Sequence, residues 1–192
     1  MGCGFVNVVD ENNRVFSWGD NYGGQLGTKD DIHREDPFLM KSLGDVTIKQ
    51  VSLGFQHGLY LTDEGQVYGV GKNNRYQLGA EFNMNSSNNE IFDKYQPAKL
   101  LFDEDYFNEP VKSVHAGKFH SIIVTESDRM FGIGYNKYGQ VGISNSMYLH
   151  AEEPVEIFTD DIKIKQVAVG AHHTLVLDHD GNVFGFGARN NG

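Results

Sequence analysis

The chain has one cysteine, Cys3, one tryptophan, Trp18, and four prolines in 192 residues. A lone cysteine has no internal disulfide partner, so this is not a disulfide-stapled scaffold, and such sparing use suits a reducing compartment. No apolar run approaches the ~20 residues that a membrane-spanning helix needs. The opening residues also lack the basic-then-apolar layout of a secretion signal. The expectation is an intracellular protein, cytoplasmic rather than nuclear, with no membrane insertion. Clusters of Lys and Arg are missing too: 16 basic residues face 26 acidic ones, a formal net charge of −10. Phosphate neutralisation carries nearly all non-specific nucleic-acid affinity, so nucleic acid is not an expected partner.

Glycine is plentiful, 23 residues, and with so little proline this indicates many tight turns rather than a linker. The glycines recur in order. Gly54-Phe55-Gln56-His57 returns as Gly117-Lys118-Phe119-His120 and as Gly170-Ala171-His172-His173, each ahead of an apolar run such as Ile122-Ile123-Val124 or Leu175-Val176-Leu177. Next come Val67-Tyr68-Gly69-Val70-Gly71, Met130-Phe131-Gly132-Ile133-Gly134 and Val183-Phe184-Gly185-Phe186-Gly187, always 17 residues from first glycine to last. Gly2 and Gly19 are spaced the same way, with Phe5 where the other copies have His. A third element closes the unit. Gly19-Asp20-Asn21 leads to Gln25-Leu26-Gly27, Gly71-Lys72-Asn73 to Gln77-Leu78-Gly79, and Gly134-Tyr135-Asn136 to Gln140-Val141-Gly142, eight residues from glycine to glycine. Pro37, Pro97 and Pro154 follow in turn. The periods are 52, 63 and 53 residues, giving repeats near 19–70, 71–133 and 134–186 with partial units at 1–18 and 187–192.

Short apolar runs rich in Val, Ile, Phe and Tyr, separated by turns such as Asp63-Glu64-Gly65 and Asp178-His179-Asp180-Gly181, read as antiparallel strands. No helical stripe persists for three turns. A four-stranded sheet of ~50 residues buries both faces only between neighbouring sheets, which radial packing supplies. The predicted fold is all-β, a sector of a β-propeller of about three and a half four-stranded blades.

These elements resemble the repeats of the regulator of chromosome condensation family, seven-bladed propellers carrying Gly-x-Asn…Gln-Leu-Gly and Gly-x-x-His. The resemblance covers essentially the whole chain. It implies a protein-binding scaffold, or guanine-nucleotide exchange on a Ran-like small GTPase as in the founding member, whose chromatin binding leans on basic segments lacking here. The family commonly has two small residues before the Gly of Gly-x-x-His. This chain has Ser52-Leu53, His115-Ala116 and Ala168-Val169, which implies a divergent member. The plant ultraviolet-B photoreceptor branch uses a tryptophan cluster, and Trp18 alone does not extend the resemblance to that photochemistry. A seven-bladed ring needs roughly twice this length, and the sequence stops inside a motif at 187–192. The expectation is a partial ring whose open edges are covered by further sequence or neighbouring subunits; a structural subunit of a larger assembly is therefore a third reading.

His57, His120 and His173 occupy equivalent repeat positions, which predicts structural hydrogen bonding rather than a shared metal. The doublet His172-His173 points to opposite faces of a strand. The glycines of 19–27 lack the Lys-Ser/Thr ending and following helix of a phosphate loop. Met1-Gly2-Cys3 looks like an acylation signal, but Val6 stands where Ser or Thr is preferred, and the repeat already explains Gly2. Asp30-Asp31, Asp103-Glu104-Asp105 and Asp160-Asp161 fall in connections and read as solvated loop charges. No nucleophile and base recur together, so no catalytic residue, cofactor or metal is expected. The middle period is 11 residues longer than the first, mostly between Gly79 and Pro97. Phe82, Met84, Phe92 and Tyr95 in that stretch are candidate partner-binding anchors on an Asn-rich loop; a flexible expansion without a role fits the same residues.

Overall fold

The structure is a computed structural model that describes residues 2, 4–80, 94–100, 108–143, 148–157 and 162–189. These residues build four antiparallel sheets in chain order. The first holds β1 (Phe5–Val9), β2 (Val15–Gly19) and β3 (Arg34–Leu39). The second holds β4 (Ile48–Leu53), β5 (His57–Thr62), β6 (Val67–Gly71) and β7 (Lys94–Lys99). The third holds β8 (Val111–Ala116), β9 (His120–Thr125), β10 (Met130–Tyr135) and β11 (His150–Glu156). The fourth holds β12 (Ile164–Val169), β13 (His173–Asp178) and β14 (Val183–Gly187).

The constant 17-residue interval is the length of one hairpin. His57 pairs with Gly71, His120 with Gly134, His173 with Gly187, and Phe5 with Gly19. At Gly71 the chain must turn with φ +94°, and a Cβ there would stand 2.4 Å from the Gln56 carbonyl oxygen. Only glycine fits both demands. The register also shifts between Gly69 and Gly71 and between Gly132 and Gly134, bulges that re-aim the chain into the following loop. Pro37, Pro97 and Pro154 lie on β3, β7 and β11, the last strand of each sheet, where a missing N–H costs no internal ladder bond. The repeat and the sheet are out of phase. The period that opens at Gly71 supplies β7 to one sheet and β8, β9 and β10 to the next, so every repeat ties two sheets together.

The core is divided among the seams between sheets. Alternate residues of β5 feed two of them: Leu59 and Leu61 meet Val111, Ile123 and Phe131 of the third sheet, while Tyr60 joins Val15, Met40 and Val70 on the other side. Ile122 and Val124 of β9 pack with Ile164, Val167 and Val176 of the fourth sheet. Every residue of β5 and β9 is buried, whereas β13 alternates, with Val176 buried and Leu175 45% exposed. Strands packed on both faces and stacked sheet upon sheet are the expected propeller sector.

Candidate interaction surface

His57 begins β5, and its ring folds back over Gly54. A Cβ on Gly54 would stand 2.3 Å from the ring's Cε1 and 2.4 Å from the Gly117 carbonyl oxygen, so no larger residue fits. Gly117 and Gly170 lie against His120 and His173 in the same way, and Gly2 lies against the buried ring of Phe5. Phe5 thus fills the histidine position of the first sheet. Across the seam, Ser121 Oγ donates to the Gln77 carbonyl at 2.7 Å. With its proton committed, that hydroxyl accepts from His57 Nε2–H at 3.1 Å, which fixes the neutral tautomer. Burial pushes the His57 imidazole down to about 3. His120 repeats the latch one seam further on: Thr174 Oγ1 lies 3.2 Å away and donates to the Gln140 carbonyl at 3.0 Å. Burial, then the neighbouring histidines, bring His120 to about 3. His173 belongs to the fourth sheet and is exposed.

The Asn and Gln of the third motif shape the loops after β2, β6 and β10. Asn73 Oδ1 accepts from the Leu78 N–H and its Nδ2 donates to the Gly79 carbonyl, both at 2.8 Å, while Gln77 Oε1 accepts from the Arg75 N–H at 2.9 Å. The accepting oxygens of Asn21 with Gln25 and of Asn136 with Gln140 do the same in their own loops, while Asn21 Nδ2 donates to Thr28 and the Asp30 carbonyl and Asn136 Nδ2 to the Ile143 and Tyr148 carbonyls. These loops, and the short turns within Gly-x-x-His, project at one end of the sector.

At that end the second and third sheets present a connected set of half-buried rings. Phe55 meets Phe119 edge-on with centroids 5.6 Å apart, Phe119 meets Tyr135 at 6.3 Å, and Tyr135 meets Tyr138 at 6.4 Å and His150 at 5.5 Å. Cations cover them. Lys118 Nζ is 5.0 Å from the Phe55 centroid and 5.3 Å from that of Phe119; the Arg75 guanidinium is 5.3 Å from Tyr135, and Lys137 Nζ is 5.6 Å from Tyr138. All lie within the ~6 Å reach of a cation–π contact. Arg75, Lys118 and Lys137 pair with no carboxylate among the described residues. Glu152, the nearby acid, is engaged by the Tyr76 hydroxyl. Burial, reinforced by Arg75, lowers the His150 pKa, and burial followed by Lys118 lowers that of His172. The opposite end differs. There Arg14 pairs with Asp10, Lys49 with Glu126, Lys112 with Asp128, and Arg129 grips Glu156 through two 2.8 Å bonds.

The same frame is found in known proteins. The description "Regulator of chromosome condensation (RCC1) repeat" matches residues 12–61, 64–124 and 127–177. This chain belongs to the RCC1 repeat family. A second RCC1 repeat description matches 48–77, 111–140 and 164–192, opening at β4, β8 and β12. Ultraviolet-B receptor UVR8 of Arabidopsis thaliana is 31% identical over 192 residues, all of this chain and 41% of that protein. Protein RCC2 homolog of Danio rerio is 30% identical over 203 residues, 94% of this chain and 39% of that protein. The chain therefore spans about two fifths of these relatives. Human WBSCR16 superposes with a TM-score of 0.81 at 20% identity, covering 97% of this chain and 46% of that one. Prp20p of Saccharomyces cerevisiae superposes at 0.78 and 22% identity, covering 97% and 42%. At such identities the two structures share the fold.

Within this RCC1 frame the repeat residues Asn21, Gly27, Gly54, Asn73, Gly79, Gly117, Asn136, Gly142 and Gly170 lie in the connections between strands, and Gly19, His57, Gly71, His120, Gly134, His173 and Gly187 lie at or near strand ends. Of the candidate anchors, Phe82, Met84 and Phe92 lie outside the described residues. Tyr95 is on β7, 39% exposed, and its carbonyl accepts from the Lys29 N–H at 2.7 Å, a bridge from the first sheet to the second. The repeat motifs do not single out Phe55, Arg75, Lys118, Phe119, Tyr135, Lys137 and Tyr138. They occupy the variable positions inside Gly-x-x-His and Gly-x-Asn…Gln, where copies differ although the frame does not. That contrast, available by laying the repeats over one another, was the signal.

Proposed function

We propose that this chain is a protein-binding sector of an RCC1-type propeller, working inside the cell without chemistry of its own, and that it binds through the ring-and-cation end of its second and third sheets. What carries this reading is the set Phe55, Arg75, Lys118, Phe119, Tyr135, Lys137 and Tyr138, gathered from four chain segments onto one frame, its cations forming no ion pair with a carboxylate among the described residues. Aromatic residues and Arg dominate binding hot spots, where truncating one costs about 2 kcal/mol or more. Residues 82 to 95, which follow Gln77-Leu78-Gly79 in sequence and end on β7, are a further proposed contact. The test is affinity capture with the full-length protein. Phe55→Ala with Phe119→Ala should lose the partners that wild type retains, while Lys49→Ala at the other end keeps them. Equal partner sets for all three would refute the surface.

Exchange on a Ran-like small GTPase is a narrower reading, supported by the fold shared with Prp20p, a protein described with binding properties to Gsp1p and histones. It predicts faster release of labelled GDP from Ran when the full-length protein is added. A role as a structural subunit, with neighbours on the sheet edges, predicts instead a native complex of constant size. Ultraviolet-B reception, named for the plant relative, is not proposed, since Trp18 is the only tryptophan here.

A further inference from the structure

The chain carries 26 acidic residues against 16 basic ones, yet at its interaction end Arg75, Lys118 and Lys137 form no ion pair with a carboxylate among the described residues. Arg75 lies on the Tyr135 ring, and Lys118 and Lys137 lie on the two rings that flank it. Resting on the protein-binding reading above, we propose that the segment docking here is an acidic stretch of polypeptide, its carboxylates set against Arg75, Lys118 and Lys137 and its backbone laid across the Phe119, Tyr135 and Tyr138 rings.

Geometry and charge both favour that occupant. The three cations fall within about 12 Å of the Tyr135 centroid, a reach of about four residues of extended chain. The Arg75 guanidinium, held 5.3 Å from the Tyr135 centroid, carries a planar N–H fork that can grip a carboxylate through two bonds. Among the described residues the Arg75 guanidinium meets the Tyr135 ring and approaches His150 Nε2 at 3.4 Å. The excess acid of the chain does not oppose a local site. The ion-paired end is separated by six-residue strands, about 20 Å, and charges are screened beyond about 8 Å at physiological salt. Nucleic acid suits the surface less well. Single strands bind such platforms by stacking bases on open ring faces, whereas here the cations cover the faces and the edges pack against other rings. A long polyanion would also extend over the acidic remainder of the molecule.

The experiment is fluorescence anisotropy of a labelled peptide containing a run of glutamates, titrated with the full-length protein at low and at physiological salt. A matched glutamine peptide and a thymidine oligonucleotide serve as comparisons. The glutamate peptide should bind at least about tenfold more tightly than the glutamine peptide and weaken with salt. Arg75→Gln with Lys118→Gln should cost about tenfold, and Lys49→Gln with Lys112→Gln at the other end should change nothing. Equal binding of the two peptides, no binding of either, or an unaffected Arg75/Lys118 variant would overturn the inference, and so would tighter binding of the oligonucleotide. Partner capture separates this from the broader reading. If the Arg75/Lys118 variant keeps partners that Phe55→Ala with Phe119→Ala loses, the surface stands and the acidic segment falls. If both variants keep every partner, the surface falls as well.

Discussion

A histidine sealed in a seam must stay neutral, and that makes stability depend on pH. His57 and His120 sit near 3 in the folded chain, and His115, half-buried beside Ser113, near 4; an unfolded histidine sits near 6.5. Between those values the unfolded state takes up protons that the folded state refuses. The stability they contribute is therefore complete above about pH 6.5 and declines as the pH falls toward their folded values, by about 1.4 kcal/mol per pH unit per histidine. Asp30, Glu109 and Glu156 are held below their usual values and push in the same direction, but only near and below the carboxylate range. The urea midpoint should thus fall between pH 6.5 and 5, before carboxylates titrate. His120→Gln should be less stable at pH 7 yet show a shallower pH slope; an unchanged slope would show that His120 is not the buried neutral group described here. Ser121→Ala tests the latch from the other side. It removes the acceptor of His57 and the donor to Gln77 together, and chemical denaturation should register a loss of about 1–3 kcal/mol.

The motif loops owe their form to amide side chains that stand in for backbone, and the three copies are not equally tight. Asn73 bonds its loop at 2.8 Å on both sides, whereas Asn136 reaches its partners at 3.2, 3.4 and 3.5 Å. Asn73→Ala should cost about 2 kcal/mol and Asn136→Ala about half as much, read from thermal or urea unfolding of each variant. Equal losses would mean that the loops are held by something other than these bonds. The same bonds explain what the sequence reveals. Asn, Gln and Gly at fixed spacing serve the local backbone, so spacing alone locates them, and the hairpin they flank follows from the 17-residue interval. The offset between repeat and sheet is not in the spacing, because it depends on which neighbour β7 and β11 join. Nor does spacing announce the ring network. Phe55 meets Phe119, and Phe119 meets Tyr135, only when separate loops converge, and each alone looks like a variable surface residue.

At the scale of the whole sector, each buried cluster among the described residues joins two adjacent sheets, so stability is a sum of sheets and seams rather than of one central core. The seams are unequal. β5 and β9 lie between two packed neighbours, and each is buried along its full length. The fourth sheet buries Val167 and Val176 on one face against the third sheet, while its other face leaves Leu175 45% and Val183 68% exposed. Local opening follows the density of buried contacts, so this sheet should open at lower free energy than the two between. Native-state hydrogen exchange on the 192-residue chain should place the amides of β5 and β9 in the slowest class and those of β12, β13 and β14 in a faster one. Val176→Ala should accelerate exchange in the fourth sheet and leave β5 unchanged. Ile123→Ala, in the seam between the second and third sheets, should accelerate both of those sheets and cost about 2–4 kcal/mol globally. If all four sheets exchange at one rate and respond alike to both substitutions, the sector unfolds as a single unit and the nearest-neighbour description is wrong. If the gradient appears, the rigid middle pair of sheets is the part that holds Phe55, Arg75, Lys118 and Tyr135 in place, which is where a surface assembled from separate loops has to be mounted if it is to bind without first paying to order itself.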